Sequence, residues 1–373
     1  MGPIMNGPLS SLMNSNKVSY RRCAALCAKL CFLLFIISVG GLPSKSHAIA
    51  QTHDWQPKRT WVFVVGTLKW QHREMFDSFP QKNRRDVQLV EYFNRQGVPA
   101  EQMVYLQDAQ ATTRQVKTAF TALLAKTREG DFLFVYYCGH GYKSDDGSTT
   151  YFATYDAGDH TPGWSTDSIV RNIEKYFKGS RAFLTADCCY SGSLAQQARR
   201  LSQRVSFACL TSSSASQLST GNWTFTEMLI AGLSGKAFAD LNSDGMITLS
   251  ELAEDVKQDM SFAEEQSSSF TTTGSFAPDT VLARAARKLN PEVSKRVEVR
   301  SDGRWWKARV IDAKGAAFRV HYYGFEDSDD EWVRLSQIRE PRIAFAERTR
   351  RMSNPNPAPA DTWRTDRIQP WVP

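Results

Sequence analysis

One histidine and two adjacent cysteines follow two short apolar runs that lie about fifty residues apart. The first run, Asp131–Tyr137, leads into His140, and the second, Arg181–Ala186, leads into Cys188 and Cys189. A cysteine thiolate attacks carbonyl carbon atoms, and an imidazole can take the thiol proton and later give it to a leaving amine. A thiol and an imidazole within reach of each other are therefore a nucleophile–base pair.

Each of these side chains lies where a strand is expected to end. Both runs are short, rich in β-formers and bounded by turns that contain glycine, which is typical of buried strands. In an open α/β sheet, sites form at the carboxyl ends of the strands. Side chains alternate along a strand, so Cys188 and Cys189 point in opposite directions, and periodicity alone does not decide which of them faces the cleft.

Strand-like and helical segments alternate over the first three quarters of the chain. This alternation predicts an α/β domain with a mainly parallel sheet and right-handed crossovers. The further strands are expected at Trp61–Gly66, Met103–Leu106, Tyr151–Tyr155 and Val205–Leu210, and the further helices at Arg84–Gln96, near Thr166–Phe177 and at Phe225–Leu233.

The chain has 373 residues, which suggests two or three domains. The α/β domain is expected at residues 61–288, after a linker at 51–60. Alternating apolar and polar residues then predict a small all-β barrel at 294–340. Residues 341–373 are rich in Pro, Asn and Arg, show no periodicity and are predicted to be disordered.

Residues 1–50 have the composition of a secretory signal. Arg21 and Arg22 precede the apolar run Leu30–Leu42, and Ala48–Ala50 is a small-x-small cleavage site. Export to the periplasm or the extracellular space is therefore expected, with no membrane association after cleavage. The alternative is an uncleaved N-terminal membrane anchor, for which the apolar run is short. Four of the seven cysteines follow this leader, too few for a fold built on disulfides.

The formal net charge of +7 comes mostly from the leader. It holds five of the 46 Lys and Arg residues and no acid, so that 41 basic residues remain against 39 acidic ones. The chain after the leader therefore has no large excess of positive charge, and no nucleic acid is expected as a partner.

The residues around the histidine and the cysteines resemble the caspase-like cysteine peptidases, and the metacaspase branch most closely. Tyr137–Gly141 (YCGHG) is similar to the family's histidine motif, and Asp187–Gly192 (DCCYSG) matches its D-x-C-x-S-G motif. The resemblance extends from about Trp61 to Ala283. It departs from the family at Tyr190, where metacaspases commonly have histidine.

The resemblance implies a mechanism that requires no cofactor. Cys189 would attack the scissile carbonyl and Cys188 would be a bystander, while His140 would act first as base and then as acid. The backbone N–H groups of Gly141 and Cys189 would form the oxyanion hole.

The resemblance also implies a preference for basic residues in a protein or peptide substrate. Asp86 and Asp187 match positions that line the metacaspase S1 pocket, where a carboxylate would pair with Arg or Lys of the substrate. The alternative for Asp86 is an ordinary solvated helix residue.

A basic segment after the cysteine, Leu194–Arg204, falls where caspase-like enzymes are often cut on activation. Self-cleavage after Arg199, Arg200 or Arg204 is a hypothesis, and the alternative is a solvated surface loop.

A further segment, Asp240–Glu251 (DLNSDGMITLSE), fits the EF-hand loop at every diagnostic position, with Gly245 at the sharp turn. The flanking helices would be Phe225–Phe238 and Leu249–Met260. The pattern predicts a structural Ca²⁺ site, and the alternative is a metal-free turn of the same shape. The expected ligands are Asp240, Asn242, Asp244, the carbonyl of Met246, and Glu251.

The segment Ser294–Glu340 resembles the Tudor-knot or chromo-barrel family through Trp306–Val310, Val320–Gly324 and Asp330–Val333. Such SH3-like barrels can form aromatic cages for methylated cations. The alternative is that the aromatic residues fill the core of a very small domain. In an exported protein, a peptide ligand or packing on the catalytic domain is more plausible than a chromatin ligand. The cage candidates are Trp305, Tyr322, Tyr323 and Trp332.

These observations favour an exported caspase-like cysteine endopeptidase. Two alternatives stay open: a caspase-fold pseudoenzyme that acts through its barrel as a binding module, and a thiol amidohydrolase or transferase with a non-peptide substrate.

Overall fold

The computed structural model describes residues 55–286, 290 and 292–341. The predicted leader at 1–50 lies outside the described residues, and so does all but the first residue of the predicted tail at 341–373. Within the described part of the chain, no helix is both long enough and apolar enough to span a membrane.

A six-stranded sheet forms the centre of the first domain. Its strand order is β10-β8-β7-β3-β1-β2, and all neighbours are parallel except the edge strand β10. The parallel arrangement follows from the helical crossovers between strands, as the alternating sequence pattern predicts. The strands are β1 (Thr60–Gly66), β2 (Met103–Gln107), β3 (Phe132–Cys138), β7 (Arg181–Asp187), β8 (Ser206–Thr211) and β10 (Ser269–Thr272).

Helices cover both faces of this sheet. Val62 and Val64 of β1 face a core shared with α1, α5 and α6, whereas Phe63 and Val65 face a second core shared with α2, α3 and α4. This alternation explains why Trp61–Val65 of β1 is apolar at every position. The helices are α1 (Arg85–Gln96), α2 (Thr113–Lys126), α3 (Thr166–Tyr176), α4 (Ser193–Leu201), α5 (Thr224–Leu233) and α6 (Leu249–Glu264).

Two small antiparallel sheets complete the domain. One joins β4 (Gly141–Lys143), β5 (Thr150–Phe152) and β6 (Trp164–Ser165), and it begins directly after the histidine. The other pairs β9 (Met246–Thr248) with β11 (Val281–Arg284). The α/β fold class predicted from the sequence is confirmed.

The C-terminal domain is an antiparallel sheet in the order β15-β14-β13-β12-β16, as predicted for a small β barrel. Its apolar core includes Val299, Val310 and Val320. The strands are β12 (Arg296–Ser301), β13 (Arg304–Lys314), β14 (Ala317–Tyr322), β15 (Glu331–Arg334) and β16 (Ile338–Arg339).

The barrel packs on α6 through a buried ionic network. Arg309 lies 2.6 Å from Asp259 and also binds Asp255, and these three side chains are 1% exposed or less. Arg296 binds the same two carboxylates, and the Tyr323 hydroxyl donates to Asp259 at 2.6 Å. Buried charges of this kind are stable only when they are paired, so the network fixes the position of the barrel.

Three local expectations are corrected by the structure. The predicted linker at 51–60 contains Trp55, which packs in the core and donates to the carbonyl oxygen of Leu282 at 2.9 Å. The predicted loop Leu194–Arg204 is largely the helix α4, because Leu194 and Ala198 give it an apolar face. The predicted helix Phe225–Phe238 ends at Leu233, and a short 3-10 turn follows at Ala237–Ala239.

Candidate active site

The ends of β3 and β7 bring the histidine and cysteine segments side by side. Cys138 pairs with Asp187 in the parallel register, and His140 and Cys189 each lie two residues beyond that pair. A Cβ atom added at Gly141 would lie 2.0 Å from the carbonyl oxygen of Cys189. The backbone after His140 therefore touches the backbone of Cys189, and only glycine fits there.

The two cysteines lie in different environments. Cys188 is buried in the core, whereas Cys189 is partly exposed. Burial raises the pKa of both thiols, that of Cys188 well above its usual value. The Sγ atom of Cys189 accepts a hydrogen bond from the Ser219 N–H at 3.1 Å, and this contact opposes the rise in the pKa of Cys189. Of the two cysteines, Cys189 is therefore the one accessible for chemistry.

A sharp turn directly follows Cys189. Tyr190 has a φ of 58°, a left-handed conformation that costs a residue with a Cβ atom about 1–2 kcal/mol. The turn is held by a hydrogen bond from the Tyr190 N–H to the Gln217 carbonyl at 2.9 Å. Tyr190, the departure from the metacaspase motif, is thus part of the turn that positions Cys189.

His140 is held by aromatic side chains and by one hydrogen bond. Its ring lies 4.5 Å from Trp70 and 4.6 Å from Phe79, measured between ring centroids. Its Nε2 lies 2.8 Å from the main-chain carbonyl oxygen of Asp77. Because a carbonyl only accepts, Nε2 carries the proton and Nδ1 is the basic nitrogen of the neutral ring. Burial lowers the pKa of His140, although the bond to Asp77 acts in the opposite direction.

The raised pKa of Cys189 and the lowered pKa of His140 keep both groups neutral near pH 7. A neutral imidazole is a competent general base, and it can take the thiol proton as the thiol attacks. The predicted oxyanion donors, the N–H groups of Gly141 and Cys189, belong to the two segments that meet at this point. The arrangement is suited to nucleophilic attack on a carbonyl.

Asp187 lies in the wall of a cavity of about 500 Å³ beside these segments. It is 8% exposed and accepts a hydrogen bond from the Thr226 hydroxyl at 2.7 Å. Burial raises the pKa of Asp187 to about 7, against the effect of hydrogen bonds from Thr226 and Ser212. A cation in the cavity would favour the ionised carboxylate.

Asp86, the second predicted pocket carboxylate, is already paired within the protein. It is fully buried, and its two oxygen atoms lie 3.1 and 2.7 Å from the guanidinium of Arg84. The Tyr105 hydroxyl donates to it at 2.8 Å. The expectation that Asp86 pairs with a substrate cation is therefore not supported, and its solvated alternative is wrong as well.

The predicted calcium loop is stabilised by bonds to its own backbone. Asp240 accepts from the N–H groups of Ser243 at 2.7 Å and Gly245 at 3.0 Å, and Asp244 accepts from Met246 at 2.8 Å. Glu251 accepts from the N–H groups of Asn242 and Thr248 and forms a capping box with Thr248 at the start of α6. Gly245 has a φ of 86°. These bonds build the turn without a metal, so calcium binding stays a prediction.

One other group could hold a metal by its spacing. The ligand atoms of Glu227, His321 and Asp327 lie within 4.8 Å of one another. His321 lies 2.9 Å from Glu227 and 2.7 Å from Asp330, and Arg85 lies 2.8 Å from Glu227. Arg85 and His321 already pair with Glu227, so this part of the group is explained as an ionic contact between α5 and the barrel.

The four aromatic cage candidates are not arranged as one cage of free rings. Tyr322 is buried in the barrel core, and the Tyr323 hydroxyl is bound to α6. Trp305 and Trp332 are 40% and 43% exposed, but cations of the barrel itself, Arg339 and Lys314, lie over their rings. The expectation that the barrel packs on the catalytic domain fits the structure better than a methyl-cation cage built from all four residues.

The three arginines proposed for self-cleavage do not lie in an extended loop. Arg199 and Arg200 are in the last turn of α4. The guanidinium of Arg204 donates to several carbonyl oxygens at the end of α3, including those of Glu174 and Phe177. Cleavage at any of them would require local unfolding, because a peptidase binds its substrate as an extended chain.

The sequence analysis did not predict several residues of the site. The aromatic wall at Trp70, Phe76 and Phe79 and the Asp77 carbonyl come from the loop between β1 and α1. Three aromatic residues in so short a polar segment were a usable signal. A carbonyl oxygen has no sequence signal, because every residue carries one.

Two family models match parts of the chain. Residues 83–197 match the family described as "Metacaspase, peptidase C14 domain", and residues 294–343 match the "Agenet domain". No curated protein matches the chain. Among solved structures, a structural-genomics crystal structure of a Geobacter sulfurreducens protein is 14% identical, covering 62% of this chain and 100% of its own, with a TM-score of 0.43. The family matches support a caspase-like cysteine peptidase domain followed by a Tudor-like domain.

Proposed function

We propose that this chain, a metacaspase-type protein with a C-terminal Tudor-like domain, is an exported cysteine endopeptidase that cleaves after Arg or Lys. One observation carries the proposal. The segments of His140 and Cys189 leave adjacent parallel strands in register and meet beside a cavity whose wall contains the buried carboxylate Asp187. These positions support a proposal in which nucleophile, base and a partner for a basic side chain act at one edge of the sheet.

The proposed reaction begins from the neutral pair. Nδ1 of His140 removes the thiol proton while Sγ of Cys189 attacks the scissile carbonyl carbon, and the carbonyl oxygen becomes an oxyanion. The N–H groups of Gly141 and Cys189 stabilise that oxyanion, an effect of about 3 kcal/mol for one such donor. The protonated imidazole then gives its proton to the leaving amine, and a thioester remains on Cys189.

Hydrolysis of the thioester completes the cycle. His140 takes a proton from water, the hydroxide oxygen attacks the thioester carbon, and the acid product leaves as the Cys189 sulfur recovers its proton. No metal or organic cofactor takes part in these steps, since proton transfer and nucleophilic attack use only side chains of the protein.

Asp187 supports the preference for basic residues. Of the two carboxylates predicted for the substrate pocket, Asp187 lines the cavity, whereas Arg84 already neutralises Asp86. A guanidinium or ammonium group placed beside Asp187 would pair with it in a site of low dielectric.

Export is part of the proposal and rests on the sequence of residues 1–50, with its basic start, apolar run and small-x-small cleavage site. Self-processing after Arg199, Arg200 or Arg204 is not included, because α4 and the contacts of Arg204 hold these residues in folded structure.

The test uses fluorogenic peptides that end in Arg, Lys or Leu, together with an Arg-chloromethylketone probe and intact mass spectrometry. We expect turnover of the Arg and Lys peptides, one probe adduct, and loss of both in Cys189→Ala. Cys188→Ala is the matched control, and it should keep turnover and the adduct because Cys188 faces the core. The proposal fails if Cys189→Ala cleaves as fast as the unaltered protein.

The same experiment separates the alternatives. Labelling of Cys189 without turnover of any peptide would indicate a thiol hydrolase or transferase with another substrate. Neither labelling nor turnover would indicate a pseudoenzyme whose function lies in its barrel.

A further inference from the structure

The cavity beside Asp187 has walls from both domains. One wall comes from the strand ends and loops of the catalytic domain, including Cys138, Gly139 and Trp223. Another part of the wall is a loop between β14 and β15, here called the barrel loop, which contributes Gly324, Phe325, Glu326, Ser328 and Asp329. A ligand in this cavity would therefore touch the C-terminal domain.

Contacts with α1 and within the loop itself hold the barrel loop in place. Arg85 of α1 donates to the Phe325 carbonyl at 3.0 Å and pairs with Glu227 at 2.8 Å. Within the loop, Glu326 and Asp329 accept hydrogen bonds from each other's backbone N–H groups. Together with the buried network around Arg309, these contacts make the barrel loop a fixed part of the wall.

The charges around the cavity are mainly negative. Its lining residues of the acidic and basic types are Asp187, Glu326 and Asp329 on one side and Lys82 on the other. Lys82 is exposed, whereas Oε1 of Glu326 is buried and has no hydrogen-bond partner among the described residues. Because this oxygen is closed to solvent, Glu326 would act on a cationic group in the cavity through its negative charge and not through a direct hydrogen bond from Oε1.

We propose that the barrel loop is part of the substrate site, and that Glu326 and Asp329 act with Asp187 to select a substrate with a long basic side chain. This inference rests on the proposed peptidase function. It assigns specificity-determining residues to the Tudor-like domain. That domain would form part of the wall of the active site and would not act as an independent peptide-binding module.

The state of Asp187 explains how the barrel-loop carboxylates would help to bind a cationic side chain. Asp187 is buried and has a raised pKa, so alone it holds only part of a negative charge near pH 7. Two further carboxylates in the cavity wall raise the local negative potential and attract cationic side chains. They also discriminate against acidic side chains by repulsion.

The experiment compares two peptides that differ only at the cleaved residue, arginine in one and citrulline in the other. Citrulline has nearly the same shape as arginine and no charge, so the ratio of kcat/KM values isolates the contribution of charge. The test variant of the full chain is Glu326→Gln/Asp329→Asn, in which both residues can still accept the backbone bonds of the loop. The matched control is Asp302→Asn/Glu340→Gln, which removes two exposed barrel charges outside the cavity lining.

We expect the Arg-to-citrulline ratio to fall about five- to tenfold in the test variant, as suits two partly solvated ion pairs, and to stay constant in the control. Cleavage of the citrulline peptide should be unchanged in the control, and in the test variant it should fall less than cleavage of the Arg peptide. If the unaltered protein cleaves Arg peptides and the ratio is the same in all three proteins, this inference is overturned and the proposed function stands. If the unaltered protein cleaves neither peptide, both are overturned.

Discussion

The imidazole of His140 donates its Nε2 proton to the main-chain carbonyl of Asp77, 2.8 Å away. Asp77 lies in the loop between β1 and α1, far in sequence from the histidine motif. This bond selects the tautomer in which Nδ1 is the acceptor, so the loop decides which nitrogen can serve as the base. A backbone group does this without adding a charge to the site.

The pH dependence of kcat follows from the lowered pKa of His140. The imidazole must be neutral to act as base, so the rate rises as the pH increases through that pKa, which lies below the usual value of 6.5. For the citrulline peptide, we expect half-maximal kcat below pH 6.5 and a plateau to about pH 8, since the thiol pKa of Cys189 is raised. A half-maximal point above pH 6.5 would contradict this interpretation.

Asp187→Asn should weaken cleavage of Arg peptides and spare cleavage of citrulline peptides. Loss of a buried charge partner costs about 2–3 kcal/mol, or roughly a hundredfold in kcat/KM for the Arg peptide. Because the pKa of Asp187 is about 7, KM of the unaltered protein for Arg peptides should fall as the pH rises through 7. The variant should lack this dependence.

A stability measurement is the control for Asp187→Asn. The carboxyl pKa is raised in the folded protein, so the unfolded chain ionises first, and folding loses stability as the pH rises from about 4 through 7. The variant should therefore melt at a higher temperature than the unaltered protein at pH 8, with a smaller difference at pH 4. Lower stability of the variant at pH 8 would indicate that the substitution damages the fold.

The central part of the site was predictable because its signals are local. The two apolar runs end close to where β3 and β7 end, whereas the exposure of Cys189 and the burial of Cys188 come from the turn after β7, which periodicity did not decide. The pairing of Asp86 with Arg84 was not predictable, because a buried acid looks the same in sequence whether its partner is a substrate or a neighbouring arginine.

The ionic contacts between the two domains could not be predicted from the sequence either. Three charged residues lie at buried positions: Asp255, Asp259 and Arg309. A hydrophobicity pattern predicts that charged residues are exposed, so it places these three wrongly. The helix α4 was predicted to be a loop for a similar reason. Most of its residues are basic or polar, and its apolar face is narrow, with Leu194 and Ala198. Both errors arise where tertiary contacts outweigh local composition.

The EF-hand-like loop gives a prediction about calcium. If the loop binds Ca²⁺, about 1 mM of the ion should raise the melting temperature by several degrees, because a ligand of the folded state stabilises it. Asp244→Ala should abolish the shift, whereas Asp279→Ala, an exposed acid outside the loop, should keep it. Equal shifts in the two variants, or no shift in the unaltered protein, would show that the turn is metal-free.

His321 predicts a loss of stability at alkaline pH. Burial alone would lower its pKa, but ion pairs with Glu227 and Asp330 outweigh this and raise the pKa to about 9. A raised histidine pKa stabilises the fold below pH 6.5, and this contribution of about 3 kcal/mol is lost as the pH rises through 9. Urea unfolding between pH 6 and pH 10 should show the loss in the unaltered protein. In His321→Gln the curve should be flatter, and parallel curves would exclude this role.

Removing Arg309 should destabilise the protein strongly. Arg309→Met leaves Asp255 and Asp259 buried with only Arg296 as a positive partner, and we expect a loss of about 3 kcal/mol in the free energy of unfolding. Arg300→Met, an exposed arginine of β12, is the control and should cost less than about 0.5 kcal/mol. Both are measured by urea unfolding.

A second variant distinguishes lost charge pairing from lost packing around Arg309. Adding Asp255→Asn and Asp259→Asn to Arg309→Met removes the unpaired buried charges, so part of the lost stability should return. If the triple variant is no more stable than Arg309→Met, the arginine acts through packing alone. Because the network holds the barrel on α6, Arg309→Met should also lower the Arg-to-citrulline ratio, whereas Arg300→Met should leave it unchanged. An unchanged ratio in Arg309→Met would mean that the barrel loop keeps its place without the network.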